Sequence, residues 1–178
     1  LADEAKDGFG YVSIRPATVC GYSPRLRLDL SVNVLTTHAV VNNKITVFGG
    51  TQYRPNLHIQ DMTDLYLQLL EEPDERVADK IFNAGYQNMQ MMDIAKRVKS
   101  VVGQHKSDNE IEIITTPTDD IRSYRINCDK IEQELGFVPK HSIENAVEEL
   151  CAAFSSGMIP DPMTSSAYVN IKRMQEIG

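Results

Sequence analysis

The 178-residue chain has no tryptophan, 7% aromatic residues and three cysteines. Cys20, Cys128 and Cys151 stand far apart, with no C-x-x-C pair and no histidine at ligand spacing. That excludes a disulfide frame and a cysteine-based zinc site, and it makes reduced thiols and a cytoplasmic location the expectation. No apolar run approaches the roughly 20 residues of a membrane-spanning helix. An excess of basic charge is also missing. The net charge of −7 and a pI near 5.1 argue against non-specific binding to nucleic acid or to an anionic membrane. The familiar catalytic signatures are absent too: G-x-S-x-G, H-E-x-x-H, G-x-x-x-x-G-K-[ST] and G-x-G-x-x-G. Tyr-x-x-x-Lys is expected to be absent as well; Tyr66, for instance, is followed by Leu70. Adjacent carboxylates occur at Asp119-Asp120 and Glu148-Glu149, but neighbours on a chain do not flank a substrate bond, and both read as solvated surface.

What is there is an alternation of short β-type runs with helical patterns. Tyr11 to Arg15 alternates and is β-rich, then stops at Pro16. Pro16 to Pro24 reads as a Gly- and Pro-punctuated loop at a strand end, the place where ligands sit in an α/β sheet. Helical spacing follows between Asp29 and Val41, then a strand at Ile45–Phe48 and a Gly49-Gly50 turn. Residues 51–61 read as a loop carrying Arg54 and Pro55, with Asp61 as the cap of a helix that starts at Met62 and ends before Pro73. The run Glu71 to Arg76 reads as a solvated loop, and Lys80–Gly85 as a strand entering a glycine turn. Met91 to Val102 form the next helix, closed by Gly103. A polar linker, a strand at Ile111–Thr115, a loop with Arg122 and Arg125, a short helix at Asp129–Leu135 and a Ser142-capped helix to Phe154 complete the pattern. Strands alternating with helices make the fold class α/β. The segment after Met158 carries no readable pattern.

At the start, Leu1 to Asp7 followed by Gly8 reads as the last turns of a helix with a C-terminal glycine. A chain that opens on a helix ending is expected to be a piece of something longer.

Chemistry concentrates in arginines spread over separate loops: Arg25, Arg27, Arg54, Arg122 and Arg125, with Thr18 and Asn33. Arginine's planar fork suits a phosphate or carboxylate, so such a set fits a diphosphate clamp. It fits scattered solvent-facing side chains equally well.

Four segments, in order, resemble the extended short-chain dehydrogenase/reductase family, the NAD-dependent nucleotide-sugar epimerases and dehydratases. They are Ile14-Arg-Pro-Ala-Thr-Val-Cys-Gly21, with Cys20 where tyrosine is usual; Arg54-Pro-Asn-Leu-His-Ile-Gln-Asp61, with Pro55 where an acid is usual; Phe82-Asn-Ala-Gly85; and Asp129-Lys130 with Glu134-Leu-Gly-Phe137 and Pro139. The resemblance spans about residues 1 to 155. It implies the end of a Rossmann-type doubly wound parallel sheet plus a smaller α/β substrate-binding domain. Residues 1–178 would then be the C-terminal part of such an enzyme, without its N-terminal cofactor-binding part. It further implies cofactor contacts at Pro16, Ala17, Thr18 and Val19, and nucleotide-sugar contacts at Thr18, Asn33, Arg54 and Arg122. Arg27, and Arg25 beside it, are held as substrate contacts without a secure family counterpart. His58 and Asp61 are expected to be structural. The cofactor implied is NAD, with NADP open, because the ribose-reading acid would lie upstream of Leu1.

The family's glycine-rich loop and its catalytic Tyr and Lys would also lie upstream. The chain alone is therefore expected to be inactive, to have an unpaired sheet edge at Tyr11, and to need a missing segment or a partner. A homodimer is possible by analogy. No catalytic residue and no metal site is assigned. The activity expected of the parent is that of a nucleotide-sugar 4-epimerase. A 4,6-dehydratase and a non-catalytic nucleotide-sugar or NAD-binding module are the alternatives.

Overall fold

The computed structural model describes residues 10–106, 110–120 and 122–178. The expected helix ending at Gly8 lies outside these residues. Seven strands and seven α-helices are described: β1 (Val12–Pro16), β2 (Thr18–Cys20), α1 (Ser31–Asn42), β3 (Lys44–Phe48), β4 (Tyr53–His58), α2 (Ile59–Glu71), α3 (Asp74–Val77), β5 (Lys80–Ala84), β6 (Gln87–Gln90), α4 (Met91–Gln104), β7 (Glu112–Thr116), α5 (Asp129–Leu135), α6 (Ile143–Ser155) and α7 (Asn170–Ile177). A 3-10 turn at Ser166–Tyr168 precedes α7. Among the described residues, no helix is long and apolar enough to cross a membrane.

The strands form three small sheets. β1 pairs with β5 and β3 with β7, both in parallel. β4 lies between β2, which it meets in parallel, and β6, which it meets antiparallel. The expected α/β architecture with parallel sheets is what the chain adopts. Two segments read as loops are strands: β2 lies within Pro16–Pro24, and β4 within 51–61. Pro55 explains why β4 resisted reading. A proline has no N–H for a ladder and argues against a central strand. The register resolves the conflict, because β2 begins to pair only at Asn56, one residue after Pro55. The charged run after Glu71 also differs from expectation, because Asp74–Val77 closes into one helical turn.

α1 is packed against α4 and α6 and lies over β3. It buries Val32, Leu35 and Ala39 but also Asn33, Thr36 and Thr37, which is why its periodicity was faint. The two threonine hydroxyls donate back to Val32 O and Asn33 O, both at 2.8 Å, so their burial leaves no donor unsatisfied. Lys106 ends the helix from outside: its ammonium donates to Ala39 O at 3.2 Å, to Val40 O at 2.6 Å and to Asn43 Oδ1. A cation there also offsets the negative end of the helix. α4 and α6 show clean apolar stripes, Ile94, Ala95, Val98, Val101, Val102 and Ile143, Ala146, Val147, Leu150. α6 starts in a reciprocal capping box between Ser142 and Asn145.

These helices enclose one core with Ile45 and Val47 of β3. A second core gathers Leu57, Met62, Leu65 and Phe82 with Ile131 and Phe137. A third, smaller one joins Leu26 and Leu28 to Leu150 and Ile159. Fully burying one such side chain contributes about 1.5–3 kcal/mol. The polar groups between the cores must therefore be well matched to be tolerated.

Candidate functional site

A cleft of about 520 Å³ opens where β1 runs into β2. Pro16, Ala17, Thr18 and Val19 line it, together with Arg25, Arg27 and Asn33 from the following loop and α1. Met62 and Tyr66 of α2 and Tyr124 close the far side. The expected cofactor segment thus shares one cleft with three of the arginine-loop residues. The turn from β1 to β2 is pinned by Ala17 N–H donating to Ala84 O at 2.7 Å.

Asn33 is 2% exposed, and its amide is fully used within the protein. Its Oδ1 accepts from Gly21 N at 3.1 Å, and its Nδ2 donates to Gly21 O at 3.4 Å and Arg27 O at 2.8 Å. It ties the Gly21–Arg27 loop to α1. Arg27 makes a fork to Asp29 at 3.0 and 3.1 Å. Burial pushes the Asp29 carboxyl up, but the bonds from Arg27 outweigh it and hold the group below its ordinary range. Arg25 reaches Ala167 O and Asn170 Oδ1, both at 2.9 Å, and so fastens the chain's last turns to this loop.

Arg54 and Arg122 form a separate corner with Ser123 and Tyr124, and Tyr124 is the residue shared with the cleft. Arg54 Nη1 donates to Tyr53 O at 3.0 Å and to Arg122 O at 2.5 Å, and its guanidinium lies 5.7 Å from the Tyr124 ring centre. Asp120 occupies the space between the two cations. It accepts a two-point fork from Arg122 at 2.7 Å and lies 3.6 Å from Arg54 Nη2. The Arg122 bonds hold the Asp120 carboxyl far below its ordinary range. Arg125 is elsewhere, 3.7 Å from the Tyr53 ring centre.

Beneath the cleft lies a buried polar cluster whose roles differ from those expected. His58, not Asp61, caps α2: its Nδ1 accepts from Gln60 N at 3.1 Å. The helix accordingly starts at Ile59 and not at Met62. Asp61 is 1% exposed and accepts from Lys140 N at 2.9 Å, His141 N at 3.0 Å and His141 Nδ1 at 2.8 Å. It binds α2 to the entry of α6. Nothing in the sequence signalled this, since the partners are 79 and 80 residues away.

One Tyr-x-x-x-Lys spacing does occur, contrary to the expectation that there is none: Tyr168 to Lys172. Tyr168 packs against the third core, and burial raises its phenol. Neither residue lines the cleft, so the spacing supplies no catalytic pair there. Among the described residues, no group of three or more His, Cys, Asp or Glu side chains is arranged to hold a metal ion. Burial pushes the Cys20 thiol up to about 12 and the Cys151 thiol up to about 11, which leaves both unreactive.

The fold is a Rossmann-like α/β arrangement with parallel sheets. Residues 2–85 match the NAD dependent epimerase/dehydratase family, which establishes the resemblance read from the motifs over that stretch. The fold is shared with solved nucleotide-sugar enzymes. UDP-glucose 4-epimerase from Thermotoga maritima, solved with UDP-glucose, superposes with a TM-score of 0.68 at 22% identity, covering 86% of this chain and 48% of that one. UDP-N-acetylglucosamine 4-epimerase from Bacillus cereus gives 0.70 at 18% identity, covering 86% and 51%. dTDP-glucose 4,6-dehydratase from Bacillus anthracis, solved with NAD, gives 0.64 at 19% identity, covering 82% and 44%. The chain spans about half the length of the structures it matches.

Proposed function

We propose that this chain supplies the nucleotide-sugar-binding part of an NAD-dependent nucleotide-sugar epimerase, with the 4-epimerase reaction as the activity of the complete enzyme. The observation that carries the reading is the shared cleft. The Pro16–Val19 turn at the end of a parallel strand lies in one concavity with Arg27, and Tyr124 joins that concavity to the Arg54–Arg122 corner. A cofactor ring against Pro16–Val19 and a diphosphate at the arginines would place the sugar near Thr18. Similarity to structures solved with UDP-glucose and with NAD supports the same ligands here. NAD in such an enzyme would take a hydride from the sugar and return it. Residues 1–178 form one part of the enzyme in this reading. The glycine-rich loop and the catalytic Tyr-Lys pair belong to a preceding segment, and the isolated chain binds substrate without turning it over. A homodimer is part of the same proposal.

Asp120 gives the reading a specific form. It neutralises one of the two cations that a diphosphate would meet, so a diphosphate binds by displacing this carboxylate. Calorimetry with UDP and UDP-glucose tests this. Arg54→Ala is expected to weaken binding about tenfold or more, the value of one charge-assisted contact of about 1.5–3 kcal/mol. Asp120→Asn is expected to tighten it several-fold. Unchanged UDP-glucose affinity in Arg54→Ala would remove the diphosphate from this corner. Formation of a 4-keto-6-deoxy sugar by the complete enzyme would replace epimerase by dehydratase.

A further inference from the structure

His58 is 1% exposed, and every group around it constrains its protonation. Its ring stacks on His141 with centroids 4.9 Å apart and planes inclined by 29°. Glu149 of α6 places Oε2 at 3.2 Å from Nε2, within ion-pair distance, and Nε2 is a buried nitrogen that makes no well-formed hydrogen bond. Asp61 of α2 and the Cys20 thiol of β2 are the other titratable groups in this cluster. Gly21 lies close to the Nε2 edge of the ring. Its φ is +104°, and a Cβ there would sit 3.1 Å from His58 Nε2.

The cap fixes the tautomer. Nδ1 accepts the Gln60 N–H, so it carries a lone pair, and the single proton of the neutral ring sits on Nε2, facing Glu149. A second proton has only Nδ1 to go to. There it would set N–H against N–H, destroy the cap, and place a cation at the positive end of α2. His141 lies face to face with the ring and cannot share a positive charge with it cheaply. We propose that neutral His58 is a proton-sensitive prop beneath the cleft: it holds the start of α2 and the Gly21 turn in register, and its protonation releases both. The elements it supports line the cleft directly, through Cys20, Gly21 and Ile59. The inference goes beyond the nucleotide-sugar reading, because it concerns the scaffold whatever the ligand.

Burial pushes the His58 imidazole below its ordinary value, against the opposing pull of Glu149. For a histidine with a depressed folded value, the unfolded state binds the proton more readily. Stability is therefore lost as pH falls below the unfolded value of about 6.5. One such proton lowers the folded-to-unfolded ratio about tenfold per pH unit. Carboxylates contribute their own acid loss only below about 4.5, so the windows separate.

The test combines two measurements on the protein between pH 8 and 5. Long-range ¹H–¹⁵N spectra of the imidazoles are expected to show His58 as the neutral Nε2–H form at pH 7, with its protonation accompanied by shifts of the Gly21 and Gln60 amides. Urea unfolding of His58→Asn is expected to show a lower neutral-pH stability, since Asn keeps the N-cap but leaves part of the ring's buried space empty, and to lose the acid sensitivity between pH 6.5 and 5. An Nδ1–H tautomer or an imidazolium at pH 7 overturns the proposal. So does a folded His58→Asn protein with the wild-type acid loss. The spectra decide the matter by themselves if the variant does not fold.

Discussion

Asp61 is the most informative single residue to remove. Its carboxylate is 1% exposed and accepts three bonds from one short segment, two from backbone N–H groups and one from a ring nitrogen. A hydrogen bond to a charged group contributes about 1.5–3 kcal/mol, and the three are not additive because they share one acceptor. Asp61→Ala deletes the acceptor and leaves the Lys140 and His141 N–H groups facing a void, so a loss of about 3–5 kcal/mol is expected. Asp61→Asn keeps the shape and one acceptor oxygen but turns an NH₂ toward a donor, so about 2–3 kcal/mol is expected. With a urea slope of roughly 2 kcal/mol per molar, the midpoint should fall by about 1.5–2.5 M for Ala and about 1–1.5 M for Asn. Both are read by far-UV circular dichroism with the slope held in common. If both variants fall by less than about 0.3 M, or if Asn is the worse of the two, Asp61 is not the clamp between α2 and α6.

Gly21→Ala places a Cβ at a φ of +104°, 3.1 Å from both His58 Nε2 and Ile59 Cγ2; about 1–3 kcal/mol of stability should be lost, and an unchanged melting temperature would show that the turn relaxes freely. Acid should unfold the protein in a second window below that of His58. Lys80 holds the Glu134 carboxyl below its ordinary value of 4.5. For Glu144, burial pushes upward but is outweighed by hydrogen bonds from its own backbone N–H, Ser142 and Arg97. Their contributions are complete above about pH 4.5 and fade as pH falls through the lowered folded values, so the urea midpoint should decline from pH 4.5 toward 3 and less steeply in Lys80→Met. Both pairs are near the surface, so added salt should shrink this component.

The helices that stand on an apolar stripe were legible in the sequence, because burial of one face imposes a period that survives any arrangement of neighbours. α4 and α6 are such cases, and Ser142 announced the start of α6 by its own chemistry. The α/β class followed from the alternation of these stripes with short β-rich runs. The candidate cofactor segment Pro16–Val19 was located by its strand-end loop and by resemblance, and the structure puts it in the cleft beside Arg27 and Asn33. β4 was not legible. Its residues Tyr53–His58 hold a proline and no alternation, and the segment is a strand because β6 pairs with Tyr53–Asn56 and β2 with Asn56–His58.

The same holds for the polar residues. Arg54, Asn33 and Asp61 are all competent to bind an anion, cap a helix or clamp a loop, and local sequence weighs these uses equally. Partners decided among them. Gly21 and Arg27 O claimed the Asn33 amide, Asp120 entered between the arginines, and a segment nearly 80 residues away claimed Asp61 and left the cap of α2 to His58. Periodicity and turn chemistry act over a few residues, so the chain itself carries them. The function of a buried polar group depends on which donor or acceptor folding brings within about 3 Å of it, and only the tertiary structure determines that.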